Sequence, residues 1–369
     1  MEIPDYVKAR IQGSRYAMIV VAAMLLVAMN TVAADTPGAA SSGLRIYVLD
    51  TGNHRVQIFN AKGVYKSQFS HSFDSPTGIA VNLGNVYVKD GNANCEVDEF
   101  DSKGKYILQF GKCSSGTIGP GIFDNTGALA ATTGNVWITS PDFYYMQEFD
   151  SSSKFLKIVC MANLGLKNCP PVTSFDVQPF GIALDAKGNI YVTNVYPSQG
   201  GYNVVKFSSR GKYLATIGSA GSGNGQFNDP EGIAVDSGGN NVVKFSSRGK
   251  YLATIGSAGN GNGQFNDPEG IAIDSAGNIY VVDSGNNRVE KFNKAGVYQS
   301  QFGSPGSGNG QFNFPVGIAF GADGEIYVTD VGNNRVEEFD SKGSYLGQFG
   351  SYGQGNGEFI NPFGIAITE

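Results

Sequence analysis

From Leu44 onward the chain alternates short apolar runs with turns rich in Gly, Asn and Asp, and the runs recur in a fixed order. A Gly-centred apolar tetrapeptide, strand a, appears seven times, from Gly78-Ile79-Ala80-Val81 to Gly364-Ile365-Ala366-Ile367. Strand b is an aromatic flanked by β-branched residues, as in Ile46-Tyr47-Val48, Val136-Trp137-Ile138 and Ile326-Tyr327-Val328. Strand c ends in Phe59, Phe100, Phe149, Phe207, Phe245, Phe292 and Phe339, and strand d follows after a turn, as in Tyr345-Leu346-Gly347-Gln348-Phe349. Short β-branched and aromatic runs bounded by turn residues read as strands. Phe245, Phe292 and Phe339 are 47 residues apart. Four short strands per period of that length predict an all-β fold, a β-propeller of four-stranded antiparallel blades.

The order of the runs predicts how the ring closes. The chain begins with a strand b at Ile46 and ends with a strand a, so residues 364–367 are expected to complete the N-terminal blade and remove the open edges. One repeat is defective. Residues 203–240 and 241–278 differ only at Ser222/Asn260, Val235/Ile273 and Gly238/Ala276, and the first copy lacks a strand b equivalent to 276–284. Deleting one strand reverses the direction of those after it. Two architectures follow: six full blades with about 38 residues extruded, or seven blades of which one has three strands. We favour six.

Composition agrees with this reading and narrows the chemistry. The 52 Gly, 24 Phe and 18 Tyr suit short strands and tight turns, and 26 basic against 32 acidic residues exert no general pull on nucleic acid. Two histidines cannot build a three-His metal site. Residues 1–34 are a different material. Lys8, Arg10 and Arg15 precede an apolar run from Ala17 to Met29, and Val32-Ala33-Ala34 ends it. This reads as a signal peptide or, since residues 17–34 just reach spanning length, an N-terminal membrane anchor. Residues 35–43 form a linker and residues 44–369 the propeller. We therefore expect a chain that is secreted or held on the extracytoplasmic side of the membrane.

The run Pro315-Val316-Gly317-Ile318-Ala319, then Gly324-Glu325-Ile326-Tyr327-Val328-Thr329-Asp330, then Asn333-Asn334-Arg335-Val336-Glu337-Glu338-Phe339-Asp340 resembles the NHL repeat. The resemblance covers nearly all of residues 44–369. It implies a six-bladed propeller, a fold whose members include sensor ectodomains, RNA-binding domains and a few lyases. Fold therefore follows from the resemblance, and function has to be argued from the site.

Strand alternation places the a–b and c–d turns on one face and the b–c and d–a connections on the other. The first set is short and monotonous. The second carries most of the departures from the repeat, and variable loops on a rigid scaffold are where binding residues concentrate. The candidate ligand-binding residues are Asp142, Phe143, Tyr144 and Tyr145 in one b–c connection and Tyr196, Gln199 and Tyr202 in the next. Aromatic rings with a few amides and carboxylates suit a peptide or a sugar; the same rings could instead cover the groove between blades. The four cysteines are expected to pair as Cys95–Cys113 and Cys160–Cys169. Asp50, Asp90, Asp283 and Asp330 recur once per blade and so cap turns instead of converging on an ion. Arg55, Arg288 and Arg335 are read as braces between repeats, His54 as a turn residue, and His71 as a loop residue with no evident partner.

The sequence thus predicts no catalytic residues, no metal and no cofactor. It points to a monomeric binding or scaffold module for a protein or glycan partner, not a nucleic acid. The alternatives are an extracellular lyase or hydrolase, which the resemblance leaves open, and a structural envelope protein. The lyases of the resembling group use several histidines around a metal, whereas this chain offers His54 and His71.

Overall fold

The computed structural model describes residues 44–368 apart from 91–94, 114–118, 124–127, 133, 142, 162–176, 186, 196–201, 221–225, 228–232, 234–243, 246–250 and 254–258. The leader and linker lie outside the described residues.

Six four-stranded antiparallel sheets succeed one another along the chain as the blades of a propeller. Blade 2 is typical: strand a Pro76–Asn82, b Asn85–Asp90, c Glu96–Phe100 and d Tyr106–Phe110, hydrogen-bonded in sequence order. Blades 3 and 4 begin at Leu129 and Pro179, and blades 5 and 6 at Pro268 and Pro315. Blade 1 joins the two ends of the described chain. Its strands b, c and d are Arg45–Asp50, Arg55–Asn60 and Tyr65–Phe69, and its strand a is Pro362–Thr368. The closing register pairs Ile46 with Ile367 and Val48 with Ile365, so the expected seam is present.

The ring has six blades, and the part of the duplication that adds no blade, residues 218–267, falls between the fourth and fifth. Blade 4 ends with strand d Tyr213–Ile217, and blade 5 starts at Pro268. Between them the second copy of the c–d hairpin forms a separate two-stranded ladder, Lys244–Phe245 with Tyr251–Ala253. Parity explains this outcome, because without a strand b the copy cannot make a complete blade of the right direction. Ile233, from the first copy, is nevertheless buried with Ala183, Tyr191, Val204 and Ile217 of blade 4, and Ile271 of blade 5 packs against the same cluster.

Burial follows strand position. The central aromatic of strand b is buried in every blade: Tyr47, Tyr87, Trp137, Tyr191, Tyr280 and Tyr327. Its body fills the core between blades, while its hydroxyl needs a partner. Tyr47 donates to the carbonyl of Ser102 in blade 2 (2.9 Å), and Tyr327 to that of Ala61 in blade 1 (3.0 Å). Strand d is the outer edge, with Leu214 and Leu346 about half exposed.

The two faces of the disc differ as the strand order predicts. On the a–b/c–d face the same turn recurs. The Oδ1 of Asn60, Asp101, Asp150, Asn293 and Asp340 accepts the backbone N–H groups two and four residues on, and the Ser208 hydroxyl does the same in blade 4. Such side chain to backbone turns are self-contained and leave little to vary.

Candidate functional site

On the opposite face, blades 5, 6 and 1 share one construction. Strand b ends in an aspartate, a short 3-10 turn follows, and an arginine opens strand c. In blade 6, Asp330 accepts from Asn333 Nδ2 (2.7 Å), Arg335 Nε (2.9 Å) and the backbone N–H of Asn313 (2.7 Å). Arg335 in turn donates to the carbonyls of Ser307, Gly308 and Gln311 in the d–a connection entering its blade, to Gln348 Oε1, and to Glu337. Arg288 in blade 5 and Arg55 in blade 1 make the same set of loop contacts. A planar fork of five donors suits a loop whose carbonyls converge. The aspartates and arginines are therefore structural, as read from their recurrence, and their joint task is to fasten the d–a connection.

The residue before strand c is left-handed in every blade. Blades 1, 5 and 6 place His54, Asn287 and Asn334 there at φ 55°, 55° and 56°. Asparagine tolerates this region and also works: Asn287 Oδ1 accepts the Phe314 N–H (2.7 Å), and Asn334 Oδ1 accepts that of Asn361 (2.9 Å). Blades 2, 3 and 4 place Cys95, Tyr144 and Tyr202 at this position, with φ 48°, 55° and 59°. These contiguous blades also lack the arginine, which is replaced by Glu96, Tyr145 and Asn203. Half of the ring has thus given up its repeating clamp. Tyr144 and Tyr202 occupy equivalent places on adjacent blades, in a backbone conformation that is costly for a bulky side chain.

The structure distributes the predicted site residues unequally. Asp142, Tyr196 and Gln199 lie outside the described residues. Tyr144 and Tyr202 are half-buried in the b–c connections, and Phe143 is half-buried beside Tyr145 with ring centroids 5.7 Å apart. Tyr145 requires a correction. It is fully buried, and its hydroxyl donates to the Ile122 carbonyl (2.5 Å), which Gln147 Nε2 also reaches (2.8 Å). Tyr145 fastens the d–a connection in place of the missing arginine and presents no face to a ligand.

In blade 2 a covalent bond stands where blades 5 and 6 use the asparagine contact to the next connection. Cys95 is disulfide-bonded to Cys113 in the connection leaving the blade, with Cα atoms 4.8 Å apart. Cys160 is also in a disulfide; Cys169, its expected partner, lies outside the described residues. His71 needs a second correction, because it has partners. Its Nδ1 lies 3.2 Å from Asp98 Oδ1, and its ring stacks on Tyr106 at 3.8 Å. Burial pushes the Asp98 carboxyl up to about 6, with His71 opposing the shift and Glu96 and Asp90 adding to it. The cluster was hard to read from sequence because His71 and Asp98 are joined only when the short connection into strand a of blade 2 meets that blade's strand c. Among the described residues no group of three or more His, Cys, Asp or Glu is arranged to hold a metal ion.

The NHL repeat family model matches residues 38–59, 265–292 and 312–339. No curated protein matches the chain. Among solved structures, a functionally unknown protein from Desulfotomaculum acetoxidans superposes with a TM-score of 0.61 at 15% identity, covering 88% of this chain and 99% of that one. A streptogramin B lyase superposes with 0.57 at 18% identity, covering 79% and 86%. A catalytically inactive virginiamycin B lyase from Staphylococcus aureus with quinupristin gives 0.56 at 17% identity, covering 84% and 89%. At these identities the likeness is one of fold.

Proposed function

We propose that this six-bladed propeller, which the NHL repeat family model matches at three places, is a non-catalytic binding module that holds a protein or glycan partner on the b–c/d–a face of blades 2 to 4. One observation carries the reading: Tyr144 and Tyr202 sit left-handed at equivalent positions of adjacent blades where the clamped blades use asparagine or histidine. Strain retained at a surface turn points to selection for what the side chain does there. Tyrosine brings a large, rigid and amphipathic contact surface, which suits a peptide or the face of a sugar ring. The leader and the disulfide fit a chain that works outside the cytoplasm, secreted or tethered through residues 17–34.

The lyase reading has the fold in its favour and little else. His54 closes a turn in blade 1 and His71 is engaged with Asp98 of blade 2, so the two histidines serve different local structures. The test is quantitative capture from extracellular and envelope fractions with three full-length chains: wild type, Tyr144→Ala/Tyr202→Ala, and a control altered on the other face, Lys103→Ala/Lys187→Ala. We expect one partner to be held by the wild type and the control and lost by the tyrosine variant. Equal retention by all three would refute the assignment of the face.

A further inference from the structure

Blade 2 keeps the partners of an arginine that it does not have. In blades 5 and 6 the guanidinium is surrounded by an aspartate ending strand b, an acid two residues along strand c and a glutamine on strand d: Asp283, Glu290 and Gln301, then Asp330, Glu337 and Gln348. Blade 2 has Asp90, Asp98 and Gln109 in those places, held by the same pairings, Asp90 with Glu96 and Asp98 with Gln109. The arginine position holds Glu96, which contacts Gln109. A third carboxylate has replaced the cation that the other two are arranged to meet.

Two further observations mark this as a gap in the contacts among the described residues. Asp98 is fully buried, and its Oδ2 has no hydrogen-bond partner among the described residues. In addition, the d–a connection into blade 2 spans only residues 70–75, where that of blade 6 spans 303–314, so the carbonyl-bearing loop that covers each arginine elsewhere is shortened. His71, 36% exposed, lies over part of the space. Lys89 is no substitute, because alternation along strand b turns it to the side opposite Asp90 and Asp98.

The geometry points to blade 2 as a receptor for the guanidinium group of a partner's arginine, bound between Asp90, Glu96 and Asp98. An incoming guanidinium would supply up to five donors, chiefly to Glu96 and Asp98, since Asp90 already accepts the backbone N–H groups of Asp74 and Ser75, and the Tyr106 ring, against which His71 now stacks, would offer it a surface once His71 turns away. Reaching Asp98 requires one loop side chain, His71, to turn off Oδ1. This inference rests on blade 2 alone and is independent of the tyrosines of blades 3 and 4.

The test uses the full-length chain at pH 7.5 and low salt, titrated with N-acetylarginine amide and with its neutral isostere N-acetylcitrulline amide. The expected result is saturable binding of the arginine compound at least tenfold tighter than the citrulline one. Asp98→Asn should weaken it at least tenfold, and Glu96→Gln, on the more accessible side of the cluster, several-fold. Glu96→Arg should abolish it by filling the place from within, while raising the melting temperature. Equal binding of the two compounds, no binding of either, or full affinity in folded Glu96→Arg would each overturn the assignment. An N-acetyllysine amide control that binds as tightly as the arginine compound would also overturn it, since a compact ammonium does not need the forked arrangement.

Discussion

Asn334 Oδ1 accepts the backbone N–H of Asn361 at 2.9 Å, tying the b–c turn of blade 6 to the residue that precedes the closing strand of blade 1. One side chain thereby satisfies a left-handed backbone and a contact between consecutive blades. Asn334→Ala should lose both and destabilise the fold by about 2 kcal/mol, roughly one for the left-handed conformation and one for the hydrogen bond. Chemical denaturation would measure this. A change below about 0.5 kcal/mol would mean the clamp is not energetically significant.

The closing strand itself has a larger effect. Residues 362–369 include the whole of strand a of blade 1, which pairs with strand b, Arg45–Asp50. Deleting them exposes the edge of strand Arg45–Asp50 and uncovers Ile46 and Val48. The truncated chain is expected to lose its cooperative thermal transition, whereas deletion of residues 35–43 should leave that transition unchanged.

Acidity inside the blades should appear in the pH dependence of stability. Burial raises Glu337 to about 7, with Arg335 opposing the shift and Asp330 adding to it. A carboxyl raised above its unfolded value stabilises the fold below that unfolded value and loses this contribution as pH climbs through the folded one. Stability should therefore fall between about pH 4.5 and 7, by on the order of 2–3 kcal/mol for this group. Glu337→Gln should flatten that decline, since Gln57 occupies the same place in blade 1 and is hydrogen-bonded through both ends of its amide. Denaturation series at pH 4.5 and 7.5 on both chains would check it.

The Cys95–Cys113 bridge closes a separation of 18 residues. On chain-entropy grounds its loss should cost about 3 kcal/mol. Cys95→Ser/Cys113→Ser should melt several degrees lower than the wild type and show a smaller further shift on adding reductant. If the double variant melts with the wild type, the bridge does not contribute to holding blade 2.

Much of the fold was legible because a propeller writes its period into the chain. Gly364-Ile365-Ala366-Ile367 at one end and Ile46-Tyr47-Val48 at the other already required a closing seam, and the missing strand b of the first copy already argued against a seventh blade. The site was less legible. Tyr145 looked equivalent to Tyr144 by composition, but period-2 alternation turns one to the b–c connection and the other into the core. The Asp98–His71 contact joins a strand position to a loop of unusual length, and neither residue signals the other in sequence. The substitution of the arginine clamp across blades 2, 3 and 4 was visible in the aligned repeats only once the role of Arg288 and Arg335 was known.

The central claim is that the partner lies on the b–c/d–a face of blades 2 to 4. The most direct measurement is amide hydrogen exchange on the full-length chain with and without the captured partner. The account predicts slowed exchange in Phe143, Tyr144 and Tyr202 and their neighbours, with the Asx turns after Asp101, Asp150 and Asp340 unchanged. Protection confined to those turns, or to the b–c connections of blades 5, 6 and 1, would contradict it.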